Sequence, residues 1–213
     1  MKNSERSKLK RAPKRGHYDK KTIYKILDAG QICHIGFIHN GRPVVIPTIY
    51  GRSGDKLYIH GATVSRLIVE LEKGIDISLS VAHVDGLVLA RSAFHHSMNY
   101  RSVVLFGTAK LLDDQEKNGA LKAISDHLIT GRWEEVREPN AKESKATKVL
   151  EIEIDEASAK IRTGGPIDDK EDYELNIWAG EIPLKKMPME PVEDEMLKVG
   201  IKVPKSVIDY LKS

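Results

Sequence analysis

The stretch VIPTIYGRSGDKLYIHGATVSR, residues 45–66, decides the fold of this chain. It predicts a strand, a tight turn at 51–55, a second strand that ends at His60, and then an amphipathic helix. Gly61, Ser65 and Arg66 lie at the mouth of that helix, where a glycine, a hydroxyl and a guanidinium suit a phosphate group. An ordinary helix cap with a surface arginine would use the same donors, so the motif alone leaves both interpretations open.

The composition indicates a globular chain with one sizeable core. It has 213 residues, 40% of them hydrophobic, and no run of about 18 apolar residues that could span a membrane. Cys33 is the only cysteine, so an internal disulfide and a cysteine-based metal cluster are excluded, and we expect Cys33 to be an inert packing residue. The N-terminus lacks the apolar stretch of a secretory signal, and we expect a cytoplasmic protein.

The net charge of +3 conceals a basic N-terminus, because residues 1–25 carry ten Lys and Arg against two acidic residues. Such a segment could bind nucleic acid or anionic lipid, but a solvated terminus is the simpler interpretation, since aromatic residues for base stacking are sparse there. We therefore expect no nucleic-acid partner. The predicted organisation is a flexible basic arm over 1–18, a main domain over 19–185, and a C-terminal tail with a short helix over 186–213.

Alternating hydrophobicity and turn signals predict six or seven antiparallel strands surrounded by several helices. Asn40-Gly41 is a strong signal for a two-residue hairpin, and Asp85-Gly86 predicts a second one. Pro47 indicates an edge strand, a bulge, or backbone that faces a ligand. Residues 133–145 are predicted to form a charged surface loop. Helices are expected to begin near Asp19, Thr63, Asp113 and Pro204. This pattern favours an antiparallel barrel, and the absence of GxGxxG argues against a Rossmann fold.

Four segments, in this order, resemble the FMN-binding split-barrel superfamily, which has the fold of pyridoxamine 5′-phosphate oxidase. They are HNGRPVVIPTIY (39–50), DKLYIHGATVSRL (55–67), MNYRSVVLFGTAKLLDD (98–114) and NIWAGEIPL (176–184). Within that superfamily the chain is most similar to the flavin-nucleotide-binding branch that includes the Nim-type nitroimidazole-resistance flavoproteins. The resemblance covers about residues 24–184. It implies a mainly β protein, an antiparallel split β-barrel with peripheral helices, that forms a homodimer with FMN at the interface.

The resemblance also implies a cofactor site in which each part of FMN meets a different segment. The implied residues are Ile46, Pro47 and Thr48 along the isoalloxazine ring, His60, Gly61, Ser65 and Arg66 at the ribityl chain and phosphate, Asn99, Tyr100, Arg101 and Ser102 from the second subunit, and Trp178 closing the pocket.

Several of these residues have a second interpretation. His60 could bind phosphate, act on substrate beside the flavin as a catalytic residue, or be a buried histidine satisfied by its neighbours. Trp178 is apolar enough to belong to the core. Arg101 could pair with the FMN phosphate or with an acidic residue of the partner subunit. His95-His96 invites a metal site, but adjacent residues of an extended chain point to opposite sides, and we expect no metal.

The activity that the resemblance implies is FMN-dependent oxidation and reduction. NAD(P)H or another donor would reduce the flavin, and a nitro compound, a flavin or a quinone-like molecule would accept the electrons. Pyridoxamine phosphate oxidation itself is not expected, because the basic and hydroxyl residues for a second phosphate ester are missing and 185–197 departs from that oxidase's substrate motif. The alternatives are a flavin-binding protein for storage or sensing, a split barrel that binds heme or a deazaflavin, and a nucleic-acid-binding protein that uses the arm.

Overall fold

The structure is a computed structural model that describes residues 4–212, and it divides into two compact units. Within the described range, unit 1 comprises residues 4–48, 76–108 and 153–185, and unit 2 comprises residues 49–75, 109–152 and 186–212. Each unit contains one sheet. The described helices include none that combines the length and the hydropathy needed to cross a membrane.

The described part of the chain contains many short strands and few helices, as predicted for a mainly β protein. The strands are β1 Gly16–His17, β2 Ile32–His39, β3 Arg42–Ile49, β4 Gly51–Ser53, β5 Lys56–Ala62, β6 Ile77–Leu89, β7 Ser97–Gly107, β8 Ala109–Leu111, β9 Thr147–Glu153, β10 Glu156–Arg162 and β11 Gly180–Pro183. The α-helices are α1 Lys20–Asp28, α2 Arg66–Leu71, α3 Asp114–Leu128, α4 Ala141–Ala146 and α5 Lys205–Leu211.

Unit 1 is built on a sheet with the order β1-β10-β7-β6-β2-β3, and β11 pairs with the second half of β6. The Asn40-Gly41 hairpin between β2 and β3 is confirmed, because both residues have the positive φ of a two-residue turn. The Asp19 carboxylate accepts a hydrogen bond from the Thr22 N–H and caps α1 as predicted. This helix packs across β7 and β10, which encloses the core of the unit.

The hairpin predicted at Asp85-Gly86 is wrong, because β6 continues through both residues. β7 pairs with both halves of β6, and the register shifts between Val84 and Gly86, so the dipeptide forms a β-bulge. The Arg101 guanidinium donates to both carboxylate oxygens of Asp85 at 2.8 Å. A Cβ at Gly86 would lie 3.1 Å from the carbonyl oxygen of Ile182. Contacts between strands therefore override the local preference for a turn.

Unit 2 is built on a sheet with the order β4-β5-β9-β8. The turn predicted at 51–55 is narrower than expected, because Ser53 already pairs with Lys56. Helix α3 packs so closely on β4 that a Cβ at Gly51 would lie 2.5 Å from the Cα of Ile124. Only glycine allows this approach, and it closes a core that contains the fully buried side chain of Tyr50.

The two ends of the chain and the predicted loop contain ordered contacts. Arg6 donates to the Glu156 carboxylate, and its guanidinium lies 5.1 Å above the centre of the Phe106 ring. Within 133–145 the structure has helix α4 where a loop was predicted. In the tail, the Ser206 N–H donates to Glu135 at 3.0 Å and holds α5. Residues 1–3 of the predicted arm lie outside the described residues, and the domain boundaries stay predictions.

Candidate functional site

The segment between β5 and α2 carries the predicted phosphate-binding residues of unit 2. The helix begins at Arg66, three residues later than predicted, because Ser65 keeps an extended backbone (ψ 131°). The Ser65 hydroxyl makes no capping hydrogen bond. Among residues 4–212, the Arg66 guanidinium also has no hydrogen bond or ion pair. A hydroxyl and a guanidinium without internal partners lie next to each other and can bind an anion.

Gly61 lets helix α2 pack closely against the end of β5. A Cβ at this position would lie 2.9 Å from the Cγ1 of Ile68, so a larger residue would push the chain and α2 apart. The absence of a side chain therefore lets β5 run directly into the Ser65–Arg66 turn while α2 packs against it.

His60 lies half-buried on β5, immediately before this glycine. Its Nδ1 is buried and has no hydrogen-bond partner in the described part of the chain. Burial lowers the pKa of His60, which favours the neutral imidazole at pH 7. The interpretation of His60 as a buried histidine satisfied by its neighbours is therefore wrong, and a neutral hydrogen-bonding group is what this ring offers to a ligand.

Strand β3 carries the residues predicted to lie along a flavin ring in unit 1. Pro47 is exposed, while Ile46 and Thr48 are half-buried. β3 ends the strand order of its sheet, so Pro47 lies on an edge strand, where a missing N–H costs no ladder hydrogen bond. The edge-strand interpretation is confirmed, and a ligand beside this edge stays a prediction.

The predicted group Asn99–Ser102 lies on β7, and its polar side chains are engaged inside unit 1. Asn99 is buried, accepts a hydrogen bond from Arg162, and donates to Glu181 at 2.6 Å. Arg101 forms the bidentate pair with Asp85 described above. Its hydrogen bonds lower the pKa of Asp85, and Asp85 in turn raises the pKa of Arg101. Two of these four residues therefore stabilise the sheet, which their sequence did not indicate.

Tyr100 and Ser102 of the same group are half-buried and make fewer hydrogen bonds than Asn99 and Arg101. The Ser102 hydroxyl reaches the Lys160 carbonyl oxygen only at 3.5 Å. Because successive residues of a strand point to opposite faces, this pair and the pair Asn99 and Arg101 leave β7 in opposite directions. One flat ligand face therefore cannot meet all four side chains of a single chain.

Trp178 is 66% exposed, so its assignment to the core is wrong. It precedes β11, and the tip of its indole lies against Gly180, where a Cβ would come within 3.0 Å of Cζ2. The exposed ring is available to a ligand or a partner. Cys33, in contrast, is fully buried, and burial raises the pKa of its thiol to about 12, which confirms an inert packing residue.

The two neighbouring histidines face different partners, as expected for adjacent residues. His96 Nδ1 accepts the Ala90 N–H at 3.0 Å, whereas His95 Nε2 lies 3.3 Å from an Asp169 carboxylate oxygen. His95, Asp169 and Asp172 bring ligand atoms within 4.8 Å of one another. The buried Asp168 accepts the Arg91 N–H at 3.0 Å and holds this arrangement. The sequence gives no signal for it, because the partners are 74 to 77 residues apart.

The chain is similar to known proteins over most of its length. The family model for pyridoxamine 5′-phosphate oxidase matches residues 19–161. The chain is similar to the flavocytochrome Anf3 from Azotobacter vinelandii, with 41% identity, a TM-score of 0.91 and 97% of each chain covered. It is also similar to the FAD and heme binding protein from Mycobacterium smegmatis, with 35% identity, a TM-score of 0.89, and coverage of 92% of this chain and 97% of that chain.

A more distant similarity concerns the fold alone. A candidate 5-nitroimidazole antibiotic resistance protein from Bacteroides thetaiotaomicron has 23% identity and a TM-score of 0.58, with 68% of this chain and 86% of that chain covered. No curated protein sequence matches the chain. The split-barrel fold implied by the four segments is confirmed by the full-length structural matches.

Proposed function

The chain belongs to the pyridoxamine 5′-phosphate oxidase family, and from this membership we propose that it is a flavin-dependent oxidoreductase that also binds heme. The observation that carries the proposal is the similarity, at 41% and 35% identity, to the flavocytochrome and to the FAD and heme binding protein. Both similarities extend over more than nine tenths of this chain, far beyond the 19–161 range of the family match. Heme binding, an alternative from the sequence, therefore becomes part of the main proposal.

The proposed flavin is FAD, in place of the FMN that the sequence suggested. The Mycobacterium smegmatis relative is named for FAD, and the segment Gly61–Arg66 fits the phosphate that both flavins share. Ser65 and Arg66 would hold that phosphate with donors that have no internal partner. Gly61 would let the turn that carries these two residues pack against α2. A bound flavin supplies reversible one- and two-electron transfer.

His60 would serve this site as a hydrogen-bonding residue. Because burial lowers its pKa, the ring is neutral at pH 7 and offers one N–H without adding a charge. Its position next to Gly61 places that N–H at the same end of β5 as the phosphate-binding residues. Arg101 is left out of the proposed flavin site, since its guanidinium is already paired with Asp85.

His34 is our candidate for the heme ligand. It is exposed on β2, on the face opposite the buried residues Cys33 and Ile35. The described chain gives it no hydrogen-bond partner. Exposed Ile32 and Ile38 share its face of the sheet. An unpartnered imidazole on an apolar surface suits a porphyrin, whose iron takes a neutral histidine.

The same surface is the proposed contact with a second copy of the chain. We define it as the open face, which consists of Ile32, His34, Gly36 and Ile38 of β2 and Val45 of β3. Ile32, Ile38 and Val45 are 52%, 58% and 64% exposed. Contiguous exposed apolar side chains on a sheet indicate an interface. A homodimer formed there would enclose a heme bound at His34 and shield it from water.

The test is the absorption spectrum of the purified protein, followed by anaerobic addition of NADH and of NADPH. We expect a flavin spectrum together with a Soret band, and bleaching of the flavin by one nicotinamide nucleotide, with electrons then passing to a small acceptor. His34→Ala should remove the Soret band and leave the flavin spectrum unchanged, whereas His39→Ala on the same strand should change neither. A protein that takes up neither cofactor contradicts the proposal.

The identity of the flavin and the oligomeric state need separate measurements. Chromatography of the cofactor released by acid distinguishes FAD from FMN, and FMN would contradict the choice made above. Sedimentation should show a dimer for the natural chain and a monomer for Val45→Asp, because a buried unpaired charge is costly. A dimer that tolerates this charge would place the interface elsewhere.

A further inference from the structure

We propose that a cavity in unit 2 binds the adenylate half of FAD. This inference rests on the flavin function proposed above. The cavity measures about 730 Å³, within the usual range of small-molecule sites. The polar residues that line it are Thr63, Asp113, Asp114, Lys117, Ser144, Lys145, Thr147 and Lys148.

The cavity shares one residue with the predicted phosphate-binding segment Gly61–Arg66. Thr63 belongs to its wall, and this residue lies between Gly61 and Ser65 in the chain. The Thr63 N–H donates to the carbonyl oxygen of Ala146 at 3.2 Å, which ties the end of α4 to this loop. A nucleotide whose first phosphate lies at Ser65 and Arg66 can therefore continue into the cavity within the same unit.

The basic residues of the cavity retain hydrogen-bond donors for an anion. Lys117 has a side chain that is only 9% exposed, and its Nζ donates to an Asp114 carboxylate oxygen at 2.7 Å and to the Ser144 carbonyl oxygen at 3.2 Å. An ammonium group has three N–H donors, so one is left for a ligand. Lys145 has no partner among residues 4–212. Lys148 is paired with Glu72.

The acidic residues of the wall do not cancel these donors. Asp113 accepts the N–H groups of Gln115 and Glu116 at 2.9 and 3.0 Å, so its carboxylate is used as the cap of α3. Asp114 is occupied by Lys117, and this hydrogen bond lowers the pKa of Asp114. One oxygen of each carboxylate is therefore engaged by its own helix, while the remaining ammonium hydrogens of the wall suit a phosphate.

Helix α4 presents Lys145 from a fixed position. Asn140 and Glu143 form a capping box at its first turn. Arg137 donates to the Glu143 carboxylate at 2.6 and 2.8 Å. This hydrogen bond and the Asn140 N–H lower the pKa of Glu143 to about 2. A short helix held at its start by several charged contacts keeps its lysine at the cavity.

The other residues of the cavity wall suit the base and the ribose of adenosine monophosphate. Leu111, Leu112 and Ala141 are the apolar residues of the wall, and they could contact a base. The Ser144 and Thr147 hydroxyls can bind ribose oxygens. FMN has no adenylate and would leave these groups unused, so the geometry points to preferential binding of FAD over FMN.

The experiment measures the affinity of the flavin-free, full-length protein for FAD and for FMN by quenching of flavin fluorescence. We expect FAD to bind at least about tenfold more tightly than FMN, since FMN forgoes at least one charge-assisted hydrogen bond. Lys145→Glu should weaken FAD binding about tenfold or more and leave FMN binding unchanged. Lys142→Glu is the matched control, because it makes the same charge change on α4 outside the cavity wall.

Adenosine monophosphate provides an independent probe. We expect it to compete with FAD and to leave FMN binding unaffected, because FMN and the adenylate would occupy separate parts of the site. Equal affinity for the two flavins, or equal effects of K145E and K142E, would overturn the inference while leaving a flavoprotein. A chain that binds neither flavin would overturn the proposed function, and this inference with it.

Discussion

Replacing Arg66 with alanine removes a guanidinium that has no partner among residues 4–212. Its loss should therefore weaken flavin binding and leave folding unaffected. A hydrogen bond to a charged group contributes about 1.5–3 kcal/mol, so the FAD dissociation constant should rise between about tenfold and 150-fold. The free energy of unfolding of the flavin-free protein should change by less than about 0.5 kcal/mol, as for other surface substitutions. Fluorescence titration and thermal unfolding of the flavin-free protein measure the two quantities.

Arg101→Ala is the matched control, because Arg101 is the other arginine that the resemblance placed at the cofactor. Its pair with Asp85 is about one-third exposed on each side, and such a pair contributes about 1 kcal/mol. The variant should therefore unfold about 2–4 °C lower and bind FAD as before. An R66A variant that binds FAD within about twofold of the natural chain would contradict the phosphate role of Arg66. An R101A variant that loses as much FAD affinity as R66A would contradict the conclusion that only the unpaired arginine binds the flavin.

Three further predictions follow from contacts within single units. Because hydrogen bonds from Arg101 lower the pKa of Asp85, their stabilisation is complete above the ordinary Asp pKa of about 4 and is lost as the pH falls through the lowered value. The difference in unfolding temperature between the natural chain and Asp85→Asn should therefore shrink towards zero on acidification, and a difference that persists at low pH would contradict this. Gly51→Ala should cost about 2–3 kcal/mol in urea unfolding, because its Cβ would meet the α3 backbone at 2.5 Å. Gly119→Ala in the open part of α3 should instead stabilise the chain by about 0.5–1 kcal/mol, and equal effects would refute the close approach. Acrylamide should quench Trp178 readily, and a comparison with Trp178→Phe isolates its signal. Weak quenching of that signal would contradict the exposed position of the ring.

Some of the expected phosphate site could be recognised from the sequence because its signals are local. The order of β5, the glycine and the following helix depends on residues that are close in the chain. In the structure α2 begins at Arg66, three residues later than predicted, and Gly61, Ser65 and Arg66 still lie on one short segment. It also showed that the donors of Ser65 and Arg66 have no internal partner, which a pattern of residue types cannot show.

The misassigned residues share a different cause. Asp85-Gly86 has the composition of a hairpin turn, yet it is a bulge because β7 lies beside it along its whole length. Trp178 belongs to an apolar run, yet its ring is exposed. In both cases the local composition is typical of the structure that was predicted. The neighbours that decide strand pairing or burial, however, come from elsewhere in the chain.

The sequence by itself determined the β-rich fold, its family, the cap of α1 and the hairpin at Asn40-Gly41, because each depends on the φ preferences or hydrogen bonds of nearby residues. Only the tertiary structure decided which polar side chains stay free for a ligand. Asn99 is bound to Glu181, 82 residues away, and Arg101 is held by Asp85 from a neighbouring strand. Burying a polar group without a partner is costly, and the fold alone determines which partners come within reach.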